Sequence, residues 1–321
     1  MNTVAILSAL LSIVAYTFYS KNYEKTVRQV ENPLVSAALL YGLSSLILIG
    51  MTFLSAVVFG FKTTLSDPSV WAASSGGILK LIGLMSLLYY GHIVSEAICR
   101  KQMNMGFYAI FFQANIVVIV ALNWWFHDTP VSIWSFMGGF LVLVSSVAVL
   151  FFSQKSNKTA FVAHDKKTGW AIFSALTCGA ALFIDGEMSH AIVFKNGYHT
   201  EGIAPFLFYE FLTFFLPTCW AFMQLFLQSG IKKTIFDIKT AFQAHKRSYG
   251  LSALFSVGQF VFSVFALTFP NDRVVVAVVL GASPFLNVWL DKNIRDKNLI
   301  KIEVILSFIT LIGLALVISH A

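Results

Sequence analysis

Charge is what this chain has least of. Asp, Glu, Lys and Arg make up 12% of its 321 residues, where a soluble globular domain carries roughly 25%. That deficit excludes a water-exposed globule, because too few charged side chains remain to cover a soluble surface. Cysteine is equally scarce: Cys99, Cys178 and Cys219 stand far apart, with neither a disulfide framework nor metal-ligand spacing, and they read as small apolar residues. No phosphate-cradling Walker loop, nucleotide-binding unit or HExxH helix is present, so ATP-driven work and zinc hydrolysis by this chain alone are not expected. No cofactor or metal is expected, and no enzymatic activity.

What fills the space is apolar. Hydrophobic residues account for 57% of the chain, with 32 phenylalanines among them. Crossing a bilayer takes about 20 apolar residues per helix. Runs of that order lie near 2–20, 33–60, 76–98, 105–126, 131–153, 169–194, 203–228, 248–268, 273–291 and 302–320. The expected fold is an all-α integral membrane protein of ten transmembrane helices. Met1 to Ser20 lack a basic leader and a small-x-small cleavage site, so they read as a retained first helix and not a signal peptide. Two longer basic loops are expected, Gln154 to Thr168 and Gly230 to Arg247. The net charge of +7 is assigned to loops facing an anionic leaflet, with membrane lipids as partners and no nucleic acid.

The second half retells the first. A shift of 166 lays Ile6-Leu7-Ser8-Ala9-Leu10 over Ile172-Phe173-Ser174-Ala175-Leu176. A shift of 167 matches Gly83-Leu84 to Gly250-Leu251, Leu87 to Leu254, Gly91 to Gly258 and Val94 to Val261. Collinear matches at nearly one offset indicate duplication. Five helices per copy is an odd number, so the second copy enters the membrane inverted, which creates a pseudo-two-fold axis and a midplane site. The expected organisation is a first five-helix repeat over 1–153, a basic linker over 154–168 and a second repeat over 169–321.

Each half closes in the same way. Phe111-Phe112-Gln113-Ala114-Asn115 leads through Trp124 to His127-Asp128-Thr129-Pro130 and then Gly138-Gly139. Gly281-Ala282-Ser283-Pro284 leads through Trp289 to Asp296-Lys297-Asn298 and then Gly313. In these features the whole chain resembles the drug/metabolite transporter superfamily, of the ten-helix kind with two EamA-like repeats. It departs where the family's penultimate-helix proline, present as Pro284, is Asn115 in the first half, and where the corner acid is matched only loosely by Asp128 and Asp296. The resemblance implies a central cavity lined by the helices that carry Gln113, Asn115 and Pro284. It also implies termini on the cytoplasmic side. The charges argue otherwise: eighteen of the 22 Lys and Arg residues fall in loops after odd-numbered segments, which puts those loops in the cytoplasm and the termini outside.

Ionisable groups inside apolar segments cost roughly 2.5–3.5 kcal/mol each at a helix centre, so those retained are the candidates for substrate binding or ion coupling. Asp185 and Glu187 lie deep in the sixth segment, followed by His190, which shares a face with Glu187. Their structural alternative is a wet helix end near Gly186. In the third segment Tyr89, His92 and Glu96 form one polar stripe, and Gln259 overlays His92 in the second half. Glu210 sits among Phe206, Phe208, Tyr209 and Phe211 with no basic residue near it in sequence; burial disfavours its charged form, which suits proton exchange. Interhelical hydrogen bonding is the structural alternative for the stripe. The functional expectation is a secondary transporter moving a small organic metabolite or drug-like solute by alternating access, by proton coupling or by exchange, in a bacterial inner membrane. A non-transporting scaffold or receptor-like subunit is the alternative.

Overall fold

The computed structural model describes residues 3–60, 68–102, 108, 114–127, 132–134, 136–141, 144–145, 164–190, 202–269 and 272–280, with scattered positions from 305 to 316. Among these residues there is no strand. Eight helices are defined: α1 (Thr3–Gln29), α2 (Pro33–Phe59), α3 (Pro68–Gln102), α4 (Ala114–His127), α5 (His164–Ser189), α6 (Ile203–Ser229), α7 (Ile231–Leu267) and α8 (Arg273–Leu280). Within α1, α2, α3, α5, α6 and α7 lie six stretches long and apolar enough to cross a membrane. By length and hydropathy the architecture is that of an integral membrane protein.

The helices are apolar outside and small or hydroxylated inside. On α1, Leu7, Leu10, Leu11, Val14 and Phe18 are exposed, while Ala5, Ser8, Ala9, Ser12, Tyr16 and Tyr19 are buried. In lipid there is little hydrophobic drive between helices, so close packing of small residues and interhelical hydrogen bonds take over. α1 runs to Gln29, past the polar Lys21–Lys25 stretch that the sequence suggested as its end. Glu24 and Arg28 pair at 2.7 Å one turn apart, and Tyr23 and Val27 continue the buried face. α2 starts sharply because the Asn32 side chain accepts the Leu34 N–H at 3.0 Å and Pro33 occupies the first turn. Ile231 to Arg247, within the stretch expected as a loop, is helical but for a break at His245, and α5 begins at His164, inside the stretch expected as linker.

α1 packs chiefly along α7, and α3 along α5; α2 packs along α6. α2 also meets α7 as α6 meets α3, and α4 lies on α5 as α8 lies on α1. Exchanging α1–α4 with α5–α8 maps each of these pairings onto another or onto itself. The matched sequence stretches also share a burial pattern. Ser8 and Ser174, and Ala9 and Ala175, are all buried, while Leu10 and Leu176 are 48% and 47% exposed.

Among the described glycines, Gly179 of α5 lies closest to a neighbouring helix. A Cβ there would stand 2.7 Å from the Asn115 carbonyl oxygen and 2.9 Å from the Val118 Cβ of α4. Gly179→Val should therefore pry α4 from α5 and cost about 1–3 kcal/mol, read as a lowered thermal midpoint in detergent. Gly50→Ala, whose Cβ would meet nothing within 4 Å, should be neutral or slightly stabilising.

Candidate functional site

A cavity sits at the centre of the bundle and takes a lining residue from every one of the eight helices. Its volume is about 60 Å³, counted as room for the centres of water-sized spheres. Its polar wall is Tyr16 and Tyr19 of α1, Tyr41 of α2, Tyr89, His92 and Glu96 of α3, Asn115 of α4, Thr213 of α6 and Gln259 of α7. The α3 stripe read from the sequence thus faces one space, together with its expected counterpart Gln259 and with Asn115. Gln113 and Pro284 lie outside the described residues.

Glu96 is the hub of the first cluster. Its Oε2 accepts hydrogen bonds from the Tyr19 hydroxyl at 3.1 Å and the Tyr41 hydroxyl at 3.3 Å, and His92 Nε2 stands 3.7 Å away. Its Oε1 takes both the Nε of Arg100, at 2.8 Å, and a terminal guanidinium nitrogen at 2.7 Å. Arg100 is fully buried. Its other terminal nitrogen donates to Ser20 Oγ at 2.9 Å, and its guanidinium carbon lies 4.9–5.9 Å from the ring centres of Tyr16, Tyr19, Tyr23 and Tyr108. Those distances put a cation inside an aromatic cage. His92 is fixed on its other side, with Nδ1 2.9 Å from Ser174 Oγ of α5.

The second cluster joins α3, α5 and α6. Asp185 does not cap a helix end: α5 continues to Ser189, and the carboxylate is fully buried. Its Oδ2 accepts the Tyr89 hydroxyl at 2.7 Å, while Oδ1 is buried without a hydrogen bond among the described residues. Glu210 is also fully buried. It accepts the Ser189 hydroxyl at 3.3 Å and the Thr213 hydroxyl at 3.5 Å. Ser189, one turn after Asp185 on α5, is thus the link from that helix to Glu210 on α6. Among the described residues no Lys, Arg or His pairs with either. Tyr89 ties this cluster to the cavity, since it both lines the cavity and bonds Asp185. Pro217, inside α6, lacks the N–H that would bond the carbonyl four residues back at Thr213, so the helix is weakened where it meets the cavity.

Glu187 belongs to neither cluster. It pairs with Arg273 at the start of α8, and not with the neighbouring His190 that its spacing suggested. Arg273 is buried, donates to the Leu267 carbonyl at 2.6 Å and stands 5.8 Å from the Phe183 ring centre.

Sequence reasoning passed over Arg100, Arg273 and the tyrosines around Arg100 and Glu96, namely Tyr16, Tyr19, Tyr23, Tyr41 and Tyr108. Both arginines border polar corners and were counted as loop charge. The signal for the first pair was the four-residue spacing of Glu96 and Arg100, which puts both on one helix face. The signal for the cage was Tyr16, Tyr19 and Tyr23 at i, i+3 and i+7.

The class that the fold defines is an all-helical membrane protein built around a polar central cavity. No family model matches the chain, and no curated protein matches it. Among solved structures, 24 chains match. One of them, described only as "Crystal structure of protein", aligns over 98% of this chain and 96% of its own, with a TM-score of 0.57 and 12% identity. At that identity the likeness is one of fold.

Proposed function

We propose that this protein is a secondary transporter that moves a small organic solute through the central cavity by alternating access, with Asp185 and Glu210 as the proton-coupling pair. On this reading the chain is two inverted five-helix repeats of the drug/metabolite transporter kind, in a bacterial inner membrane. The observation that carries the proposal is the cavity itself: hydrogen-bonding side chains from both halves, the ionisable His92 and Glu96 among them, converge on one space inside a bundle whose outer surface is apolar. Ionisable and polar groups at such depth are expensive unless they serve a pathway, and inverted repeats place substrate sites between the halves.

The exchange pattern of helix pairings and the shared burial of the Ser8 and Ser174 stretches support the repeat. Two ion pairs support the alternating step. Glu96–Arg100 ties the end of α3 to the end of α1 through Ser20. Glu187–Arg273 ties the end of α5 to the start of α8. In an inverted repeat the ends of the first and sixth segments lie on opposite sides of the membrane, so one tie would close each side. Cargo would be held by the Tyr19, Tyr41, His92, Glu96, Asn115 and Gln259 wall. Because Arg100 neutralises Glu96, that wall suits an uncharged or zwitterionic solute with aromatic or hydrogen-bonding surface.

The test is proton movement in proteoliposomes loaded with a pH-sensitive dye and challenged with amino acids, nucleosides, sugars, polyamines and hydrophobic cations. One chemical class should produce a saturable internal pH change. Saturable solute flux without proton movement would remove the coupling role while keeping the carrier. No flux and no ligand-induced rise in thermal stability across every class would favour the scaffold or receptor-like reading.

A further inference from the structure

α7 is longer than a membrane crossing requires. Its 37 residues make about 55 Å of helix at 1.5 Å per residue, against a hydrocarbon core roughly 30 Å thick. The excess is its first part, Ile231 to Ala244, and two backbone features set its direction. Gly230 has φ +75°, a left-handed conformation open to glycine, which reverses the chain in one residue after α6. At the other end His245 leaves helical geometry, with φ −132° and ψ 23°, so the part before it is free to point away from the crossing part.

That first part lies across the ends of α6 and α2. Thr234 donates its hydroxyl to the Leu225 carbonyl of α6 at 3.1 Å, and Ala241 is buried in a small apolar cluster with Leu34, Val35 and Leu225. Beside this inward face runs a second apolar stripe that the protein does not cover. Ile231, Ile235 and Phe242 are 62%, 57% and 37% exposed, and their spacing of four and seven residues puts them on one face, with the half-buried Ile238 between them. Lys232 and Lys239, both exposed, border the stripe on its open side. From Ile231 to Arg247 the only acid is Asp237, against Lys232, Lys233, Lys239, Lys246 and Arg247. Phe236 lies off the stripe, on the rim of a groove beside Asn32 and Lys233.

We infer that Ile231–Ala244 is an interfacial helix that seats Ile231, Ile235 and Phe242 at the headgroup–acyl boundary of an anionic leaflet, with Lys232 and Lys239 against lipid phosphates. An apolar stripe with a basic border, lying beside the ends of membrane-crossing helices, has the composition and the placement of such an element. The basic excess selects an anionic surface over a zwitterionic one, each lysine shifting the seated population about five-fold at low salt. The inference does not depend on what the cavity carries.

Single-cysteine fluorescence tests it on the full chain. Cys99 and Cys178 are buried and Cys219 is exposed, so a Cys219→Ser background leaves Ile235→Cys, Phe242→Cys or Thr240→Cys as the labelled site. The labelled protein is placed in nanodiscs of phosphatidylcholine with or without phosphatidylglycerol. Labels at 235 and 242 should be quenched by brominated acyl chains and shielded from iodide, and the label at 240, on the opposite face, should show the reverse. Phosphatidylglycerol should deepen the lipid quenching, and Lys232→Gln with Lys239→Gln, or high salt, should abolish that gain. Equal iodide access at 235 and 240 would overturn the inference. Shielding from iodide without lipid quenching would overturn it too, since a second copy or another protein would then cover the stripe. Lipid quenching indifferent to both phosphatidylglycerol and the lysines would overturn the anionic specificity.

Discussion

Arg100→Met should destabilise this protein by about 3–5 kcal/mol, because it strands the Glu96 carboxylate in a buried site. Both nitrogens that Arg100 offers Glu96 fall on one oxygen, Oε1, leaving Oε2 to two tyrosines. Removing the guanidinium thus takes away the counter-charge without leaving a donor in its place. It also empties the aromatic cage and frees Ser20, the point where α3 grips α1. Glu96→Gln with Arg100→Met should recover most of the loss, since replacing both members of a buried pair is often neutral or better. Arg100→Lys should fall between, as a point charge cannot fork onto Oε1 and reach Ser20 at once. Thermal unfolding in one detergent orders the four proteins. A single-variant midpoint equal to that of the wild type would show that Arg100 is not holding the carboxylate.

The second large effect is functional. With Asp185→Asn or Glu210→Gln, solute accumulation driven by a pH gradient should fall about tenfold or more, the equivalent of roughly 1.4 kcal/mol. Solute exchange at zero gradient should persist. Asparagine at 185 keeps an oxygen for the Tyr89 hydroxyl, and glutamine at 210 keeps one for Ser189 while Thr213 retains its shorter bond to the Glu210 carbonyl, so folding should be largely unharmed. Neutralising one of the two carboxylates mimics the proton-loaded site at every pH. The wild type should lose its uphill transport as the pH difference is collapsed, whereas the variants should not respond to that difference at all. Uphill accumulation that survives either substitution would remove the coupling role of the pair.

Much of this architecture was readable in the sequence for definite physical reasons. A carboxylate inside an apolar run is costly, so Asp185, Glu96 and Glu210 stood out individually, and the spacing of Tyr89, His92 and Glu96 declared one face. What pairs with what was not readable. Asp185 and Glu210 belong to different helices, and no spacing rule links positions on separate helices. Arg100 was hidden by its place beside Lys101, where two basic residues resemble a loop; only their separate fates differ, Arg100 turning inward to Glu96 and Lys101 capping the Val30 carbonyl at 2.8 Å. The Ile231–Ala244 helix was hidden in the same way. Its lysines advertised a loop, and the isoleucines at helical spacing between them were overlooked because the stretch is too charged to cross a membrane.

The packing of α1 against α7 has a consequence for how the protein is made. Ser12 donates its hydroxyl to the Gln259 carbonyl, 247 residues further along the chain, and Ser36 receives the Tyr249 hydroxyl across 213 residues. At about 5–20 residues synthesised per second, the wait between those two serines entering the bilayer and their partners arriving is on the order of 10–50 s. For that time Ser12 of α1 and Ser36 of α2 stand in the membrane without these α7 partners, while Tyr19 and Ser20 already have theirs on α3. The slow event in biogenesis is therefore the arrival of α7, and the early helices need shelter at the insertion machinery until the ribosome has finished most of the chain.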